Sequence, residues 1–177
     1  MSLLGIDLGT SGVRAACYDI HGTLLASVSV ATALVHRAEG TVTTDAEAVM
    51  AAAESAIRDV IAHPAVLDDA VASVSFSVQG EAVVPIDRDG VALAPAPVSM
   101  DRRGMQAASR LGVRLGGERV TAITGQPLHP MFSVYKIAAG GQGWTDQTVV
   151  GYRCLDGLLA ERLGASSAID YSMAART

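Results

Sequence analysis

The chain is poor in aromatic residues, has only two cysteines, and contains no long run of charge or of apolar side chains. Aromatics make up 4% of its 177 residues, too few for a surface that stacks on nucleic-acid bases. The formal net charge is −5, and no basic cluster is longer than the pair Arg102-Arg103. The electrostatic footprint of a nucleic-acid binder is therefore missing. Cys17 and Cys154 lie far apart, without a CxxC pair or a histidine cluster at zinc spacing. That favours two reduced thiols in a cytoplasmic protein over a disulfide or a structural zinc. No apolar run reaches the roughly eighteen residues of a membrane span, and no charged-then-apolar leader is present, so neither a span nor a signal peptide is expected. A GxGxxG turn after the first strand is also lacking, which argues against a nicotinamide-binding domain.

What remains is half apolar and 18% charged, with the apolar content resting on Ala, Val and Leu. This composition suits a layered α/β core. The length suits one ordinary domain, and with no linker or repeat in sight the reading is one compact α/β domain over residues 1–177.

The order of elements follows from periodicity. Leu3 to Leu8, Val13 to Ile20 and Leu24 to Val30 read as strands, the last two joined by a turn at Asp19 to Gly22. The period then changes. Ala46, Val49, Met50, Ala53, Ile57, Val60 and Ile61 share one helical face, Thr44 and Glu47 have capping-box spacing, and Pro64 ends the helix. "VASVSFSV" (71–78) reads as a buried strand. "AVVPIDRDGVAL" reads as a second hairpin turning at Asp89-Gly90. Helix returns from Asp101 to about Leu115 and breaks at Gly116-Gly117. "TGQPLHPMF" (124–132) is an ordered loop entering a helix over Ser133 to Ala139. "AAGGQGWTD" reads as flexible, "TVVGYR" as a strand, and "CLDGLLAERLG" as a helix closed by Gly164.

The chemistry gathers in "GIDLGTSGVRAACYD" (5–19). Gly9 and Gly12 permit close backbone approach. Consecutive amides in such a turn form an anion-binding concavity, to which the Thr10 and Ser11 hydroxyls add donors. Arg14 adds positive charge. Asp7 would repel a bare phosphate, so its presence makes sense with Mg²⁺ between the two. The competing reading is a glycine-rich hairpin whose aspartate only bonds its own turn.

This stretch resembles the first phosphate motif of the actin-like ATPases, and the chain as a whole resembles the amino-terminal domain of the FGGY-family carbohydrate kinases. "VSFSVQGEAVVPIDRDGVALAPAPVSMDRRG" (74–104) is similar to the family's strand, substrate loop, hairpin and "DRR" segment. "TGQPLHPMFSVYKI" (124–137) is most similar to the gluconate kinase branch. "AIDYSMAART" (168–177) resembles a segment near the end of the first half-domain. The fold the resemblance implies is α/β of the ribonuclease H-like, actin-like ATPase type, a mixed central sheet with flanking helices.

The function it implies is transfer of the ATP γ-phosphate to a hydroxyl of a sugar, sugar acid or polyol, with gluconate or xylulose ahead of glycerol. ATP and Mg²⁺ are the implied cofactors. Asp7 would hold the metal, and Gly9, Thr10, Ser11, Gly12 and Arg14 would face the phosphates. Gln79, Gly80, Glu81, Asp101, Arg102, His129, Met131 and Phe132 would line the sugar site. No catalytic residue is expected in this stretch, because the family's general base and second domain lie beyond Thr177. A piece that ends there would be inactive alone. No membrane or nucleic-acid partner is implied, and homodimerisation stays open.

Each assignment has a plainer competitor. Glu81 could be a solvated loop carboxylate, Asp101 a helix N-cap, and His129 a scaffold residue between prolines; Met131 and Phe132 could be core. Asp87 and Asp89 read as turn residues, and His21, His36 and His63 as surface positions without a role. The glycines of 140–143 read as a loop, since no strand precedes them. The chain also departs from the family. Gly80-Glu81 stands where a Met-His or Arg-Glu pair is usual, Ser99-Met100 stands where a tryptophan usually precedes the "DRR" segment, and the connection from Lys136 to Asp156 is short. A sugar sensor or an actin-like binding domain is the non-catalytic alternative.

Overall fold

A computed structural model describes residues 1–141, 143–166 and 168–175. The chain divides into two compact units, Met1–Leu34 with Glu47–Gln79, and Val35–Ala46 with Gly80–Thr177.

The first unit is a four-stranded mixed sheet and one helix. Strands β1 (Ser2–Leu8), β2 (Gly12–Asp19) and β3 (Leu24–Ala31) form an antiparallel meander. After α1 (Ala46–Ile61), strand β6 (Val71–Val78) returns parallel to β1, giving the order β3-β2-β1-β6. Alternation divides the sheet into two faces. Leu4, Ile6, Leu8, Val13, Ala15 and Cys17 are buried, as are Val49, Met50, Ala53, Ala56 and Val60 of α1. These two apolar sets make the core of the unit. The opposite face carries Asp7, Arg14 and Tyr18 and is open.

Two sequence expectations change here. β6 was expected to be buried, yet most of its residues are exposed. It pairs with β1 on one side and with no other strand among the described residues, so its β-branched run lies at a sheet edge. The Thr44 expected to open the helix instead ends β5 (Val42–Thr44) and is buried there.

The second unit is built from short strands and helices. Strand β4 (Leu34–His36), which begins at the unit boundary, joins β5 and β8 (Ala96–Pro97) in the order β4-β5-β8. β7 (Val83–Ile86) pairs antiparallel with β9 (Gly151–Cys154). The expected second hairpin does turn at Asp87 to Gly90, where the Gly90 amide donates to the Asp87 carbonyl at 3.1 Å. Its return arm, however, is reduced to a single bridge between Ile86 and Ala92. The helices are α2 (Met105–Leu115), α3 (Gly117–Thr124), α4 (Ser133–Ala138), α5 (Leu155–Arg162) and α6 (Tyr171–Ala174).

Among the described residues two apolar clusters lie within the second unit. Ala107, Ala108, Phe132 and Tyr135 join α2 to α4, while Val83, Trp144, Cys154 and Met173 join β7 and β9 to α6. Gly104 lets α2 begin close against its neighbour. A Cβ there would lie 2.8 Å from the Pro130 carbonyl oxygen and 3.0 Å from the Tyr135 Cβ. Among the described residues no helix is long and apolar enough to cross a membrane.

Candidate functional site

The sequence-derived candidates fall into two clusters, one in each unit. In the first unit the strand register aligns four polar side chains across the open face of the sheet. Asp7 stands opposite Arg14 on one side and Ser77 on the other, and Arg14 stands opposite Ser29. Residues paired in register point to the same face, so Ser29, Arg14, Asp7 and Ser77 form a row. Arg14 Nε donates to Ser29 Oγ at 3.2 Å, which holds the guanidinium over β3. Asp7, Thr10, Ser11 and Arg14 are all exposed.

The turn above this row is tightly closed. The Gly9 amide donates to the Gly12 carbonyl at 2.9 Å, and the Thr32 amide to the Ser11 carbonyl at 3.2 Å. Neither Gly9 nor Gly12 is left-handed. Glycine is needed at residue 12 for space, because a Cβ there would lie 2.7 Å from the Val30 carbonyl oxygen of the neighbouring strand. An open groove of about 350 Å³ runs along Asp7, Gly9, Ser11, Gly12 and Arg14. A second, of about 360 Å³, lies along Asp7, Arg14, Tyr18, Ser75 and Ser77. The two grooves share Asp7 and Arg14.

Gln79 belongs to this cluster by its contacts. Its amide donates to the Leu8 carbonyl at 2.8 Å, and its Nε2 lies 3.5 Å from the Gly9 carbonyl. Its side-chain carbonyl is buried without a hydrogen-bond partner.

The metal question can be put to this donor set. Among the described residues no group of three or more His, Cys, Asp or Glu side chains converges as a cation cage. A single exposed carboxylate is enough for Mg²⁺ when phosphates and water supply its remaining ligands. Asp7 fits that role.

In the second unit the remaining candidates are distributed unevenly. Glu81 is fully buried and adopts a left-handed backbone, φ 67°. Its Oε2 accepts from the Ser133 amide at 2.8 Å and from Ser133 Oγ at 3.0 Å. The solvated loop carboxylate is thereby ruled out. Asp101 is also buried, and its carboxylate is engaged by its own chain. Oδ1 accepts from the Arg103 amide and Nε at 2.9 and 2.8 Å, and Oδ2 from the Val42 amide and Arg103 Nη2 at 2.9 and 3.0 Å. Burial works to raise this carboxyl, but the bonds from Arg103 and Val42 outweigh it and hold it below the ordinary carboxylate range. The N-cap of α2 is Gly104, so Asp101 ties the loop ahead of the helix to β5 and does not cap the helix.

Arg102, Arg103 and His129 complete the polar set. Arg102 is exposed, with its stem packed over Gly40. Arg103 lies 6.0 Å above the Trp144 ring. His129 is exposed, accepts from the Met131 amide at 3.3 Å through Nδ1, and meets the Phe132 ring edge-on. Phe132 is buried in the α2–α4 cluster with Met131 packed against it, which is the core role. A Cβ at Gly80 would lie 3.9 Å from the Met173 sulfur, an ordinary contact distance.

Lys136 escaped the sequence reading altogether. It is fully buried, and its Nζ donates to the Glu81 carbonyl at 2.5 Å and the Pro97 carbonyl at 3.3 Å. Desolvation pushes it down to about 8, against the opposing pull of Glu81 and Asp101. The available signal was a lysine at i+3 from a serine on a six-residue helix whose neighbours Phe132 and Tyr135 are apolar.

The mixed sheet β3-β2-β1-β6 with its flanking helix is the architecture of the ribonuclease H-like, actin-like ATPase fold. Solved structures share this fold: a gluconate kinase from Lactobacillus acidophilus superposes with a TM-score of 0.87 over 99% of this chain and 36% of its own, at 24% identity. The profile described as "FGGY family of carbohydrate kinases, N-terminal domain" matches residues 2–177, and the chain belongs to that family. A gluconokinase of Bacillus subtilis is 28% identical over 137 residues, 77% of this chain and 26% of that protein. A glycerol kinase of Acinetobacter baylyi is 29% identical over 154 residues, 86% of this chain and 30% of that protein. The chain therefore spans less than a third of the length of these two curated relatives.

Proposed function

We propose that this chain supplies the phosphate-binding sheet and the sugar-recognition loop of an ATP-dependent carbohydrate kinase. The acceptor is a hydroxyl of a sugar, sugar acid or polyol, with gluconate or xylulose ahead of glycerol. The observation that carries this reading is the row Ser29–Arg14–Asp7–Ser77 beneath the turn 9–12, in a chain that belongs to a carbohydrate kinase family.

Phosphoryl transfer asks a protein for positioning and charge neutralisation more than for covalent chemistry. The exposed Arg14 guanidinium opposes phosphate charge, and the Thr10 and Ser11 hydroxyls stand ready as donors. Asp7 would hold Mg²⁺, which when bound neutralises phosphate charge that the carboxylate would otherwise repel. Without a cation, Asp7 would weaken nucleotide binding on the same face. In the second unit, Glu81 and its loop, Arg102 and His129 form the candidate sugar-recognition set. Asp101 braces Arg103 and β5 behind them. Two free, buried thiols, with burial raising both, fit a protein of the reducing cytoplasm.

Backbone amide NMR with Mg²⁺–ATP and, separately, with gluconate, xylulose and glycerol tests the reading. Shifts at residues 7–14 with the nucleotide, and at 79–82 and 129–132 with one of the three acceptors, are expected. Nucleotide shifts confined to other residues, or no response to any acceptor, would overturn it.

A further inference from the structure

Glu81 is the conformational anomaly of the second unit. A residue with a Cβ seldom adopts φ near +60°, because its side chain then crowds the following carbonyl. Among the described residues only Glu39 and Glu81 do so outside glycine. Glu39 is exposed on a short 3-10 turn, whereas Glu81 is fully buried. A left-handed glutamate persists in a core only if its surroundings over-determine it.

One turn of α4 provides that determination. Ser133 and Lys136 sit three residues apart on the same helix face, and both are fully buried. Ser133 holds the Glu81 carboxylate by its amide and its hydroxyl, at 2.8 and 3.0 Å. Lys136 holds the Glu81 main-chain carbonyl at 2.5 Å and ties it to the β8 carbonyl of Pro97 at 3.3 Å. The helix thus grips one residue at both ends, side chain and backbone. Its apolar neighbour Val134 is exposed, so the turn directs its polar pair inward and a valine outward. Burying a charged lysine where a methionine would fit is unfavourable for stability alone, which points to a role in geometry.

We infer that Ser133 and Lys136 are positioning residues: they clamp Glu81 in its left-handed conformation and so fix the loop through which the protein recognises its sugar. The inference rests on the sugar-kinase reading for the word recognises; the clamp itself rests on geometry alone. The charged groups around the ammonium suit such a clamp. Glu81 and Asp101 attract it, Arg103 repels it, and the Cys154 thiol, pushed up to about 12 by burial, stays neutral beside it at ordinary pH.

The test uses this chain with Lys136→Met and Ser133→Ala, and Ser133→Thr as the conservative variant. Methionine keeps the apolar stem and removes the donor. Three quantities are read: the melting temperature, hydrogen exchange of the amides of residues 80–83, and affinity for gluconate, xylulose and glycerol, each titrated in turn. The expected result is exchange at residues 80–83 faster by at least about tenfold and sugar affinity lower by about tenfold to a hundredfold in K136M and S133A. S133T should retain most of the affinity, and Mg²⁺–ATP affinity should be unchanged throughout. Unchanged exchange at residues 80–83 would overturn the clamp, whether or not sugar binds. Faster exchange with unchanged sugar affinity would overturn the recognition role. Faster exchange in a chain whose unaltered form binds no acceptor would overturn the sugar-kinase reading and, with it, the recognition role.

Discussion

Asp101→Asn is the perturbation whose consequence the structure allows to be worked through most fully. The wild-type carboxylate accepts four hydrogen bonds, three from Arg103 and one from the Val42 amide, all between 2.8 and 3.0 Å. Asparagine has the same shape but only one oxygen. In either orientation its NH₂ group must then face a guanidinium N–H together with a backbone amide, that of Arg103 or that of Val42, donor against donor. A hydrogen bond to a charged group contributes about 1.5–3 kcal/mol, and removing one partner of a fully buried ion pair costs about 3–5 kcal/mol. Arg103 retains 24% exposure, so water recovers part of that loss. The expected destabilisation is about 2–4 kcal/mol, a fall of roughly 5–15 °C in melting temperature for a chain of this size.

The pH dependence of this effect has a definite sign. The Asp101 carboxyl is held below its ordinary value near 3.8, so its contribution is present above that value. It is lost as pH falls through the lower folded-state value. Urea unfolding of wild type and D101N from pH 7 down to pH 3 should show a gap that is constant near neutrality and shrinks at the acid end. A variant within about 0.5 kcal/mol of wild type at pH 7 would refute the reasoning, because surface substitutions without such partners fall in that range. So would a gap that persists undiminished at pH 3.

The other predictions are briefer. Gly12→Ala places a Cβ 2.7 Å from a backbone oxygen of β3, and neither paired strand can yield cheaply. A destabilisation of about 1–3 kcal/mol is expected by urea unfolding, together with weaker nucleotide binding; a neutral variant would show the turn to be looser than described. Gly104→Ala meets the Pro130 carbonyl and Tyr135 at 2.8 and 3.0 Å and should destabilise by a similar amount, with nucleotide affinity unchanged. Lys136 titrates at about 8 in the folded chain against an ordinary 10.5, so between those values the unfolded state binds more protons and stability rises with pH. Cys154, pushed up from 9.0 to about 12, acts in the opposite sense between 9 and 12, so wild type minus K136M is the quantity to follow. That difference should rise from pH 8 to pH 10 and be flat below pH 7.

Strands β1 to β3, α1 and β6 were legible because each is long enough for its period to show and is bounded by Gly, Asp or Pro. β4, β5 and β8 span two or three residues, too few for any period. α3 was hidden by Gly116-Gly117, where the break closes α2 and also opens the next helix. The exposure of β6 could not be read either. A β-branched run looks the same at the centre of a sheet and at its edge, and pairing decides between them. The phosphate cluster was legible residue by residue, but the row was not, because register is a property of paired strands; Ser29 and Ser77 enter only through it. The second unit was least legible. Burial of Glu81, Asp101 and Lys136 runs against what their side chains prefer, and only partners distant in sequence reconcile them. For Glu81 and Lys136 these are a carboxylate 52 residues from its serine and an ammonium 55 residues from its carbonyl.

The central claim, that Asp7 and the turn 9–12 handle a metal-bound phosphate, is tested most directly by the affinity of this chain for ATP with and without Mg²⁺, in wild type and D7N. The account predicts that Mg²⁺ strengthens ATP binding to wild type and that Asp7→Asn removes this dependence, leaving metal-free binding equal or tighter because a repelling charge has gone. Nucleotide binding that ignores both Mg²⁺ and Asp7, or that is absent under every condition, would contradict it.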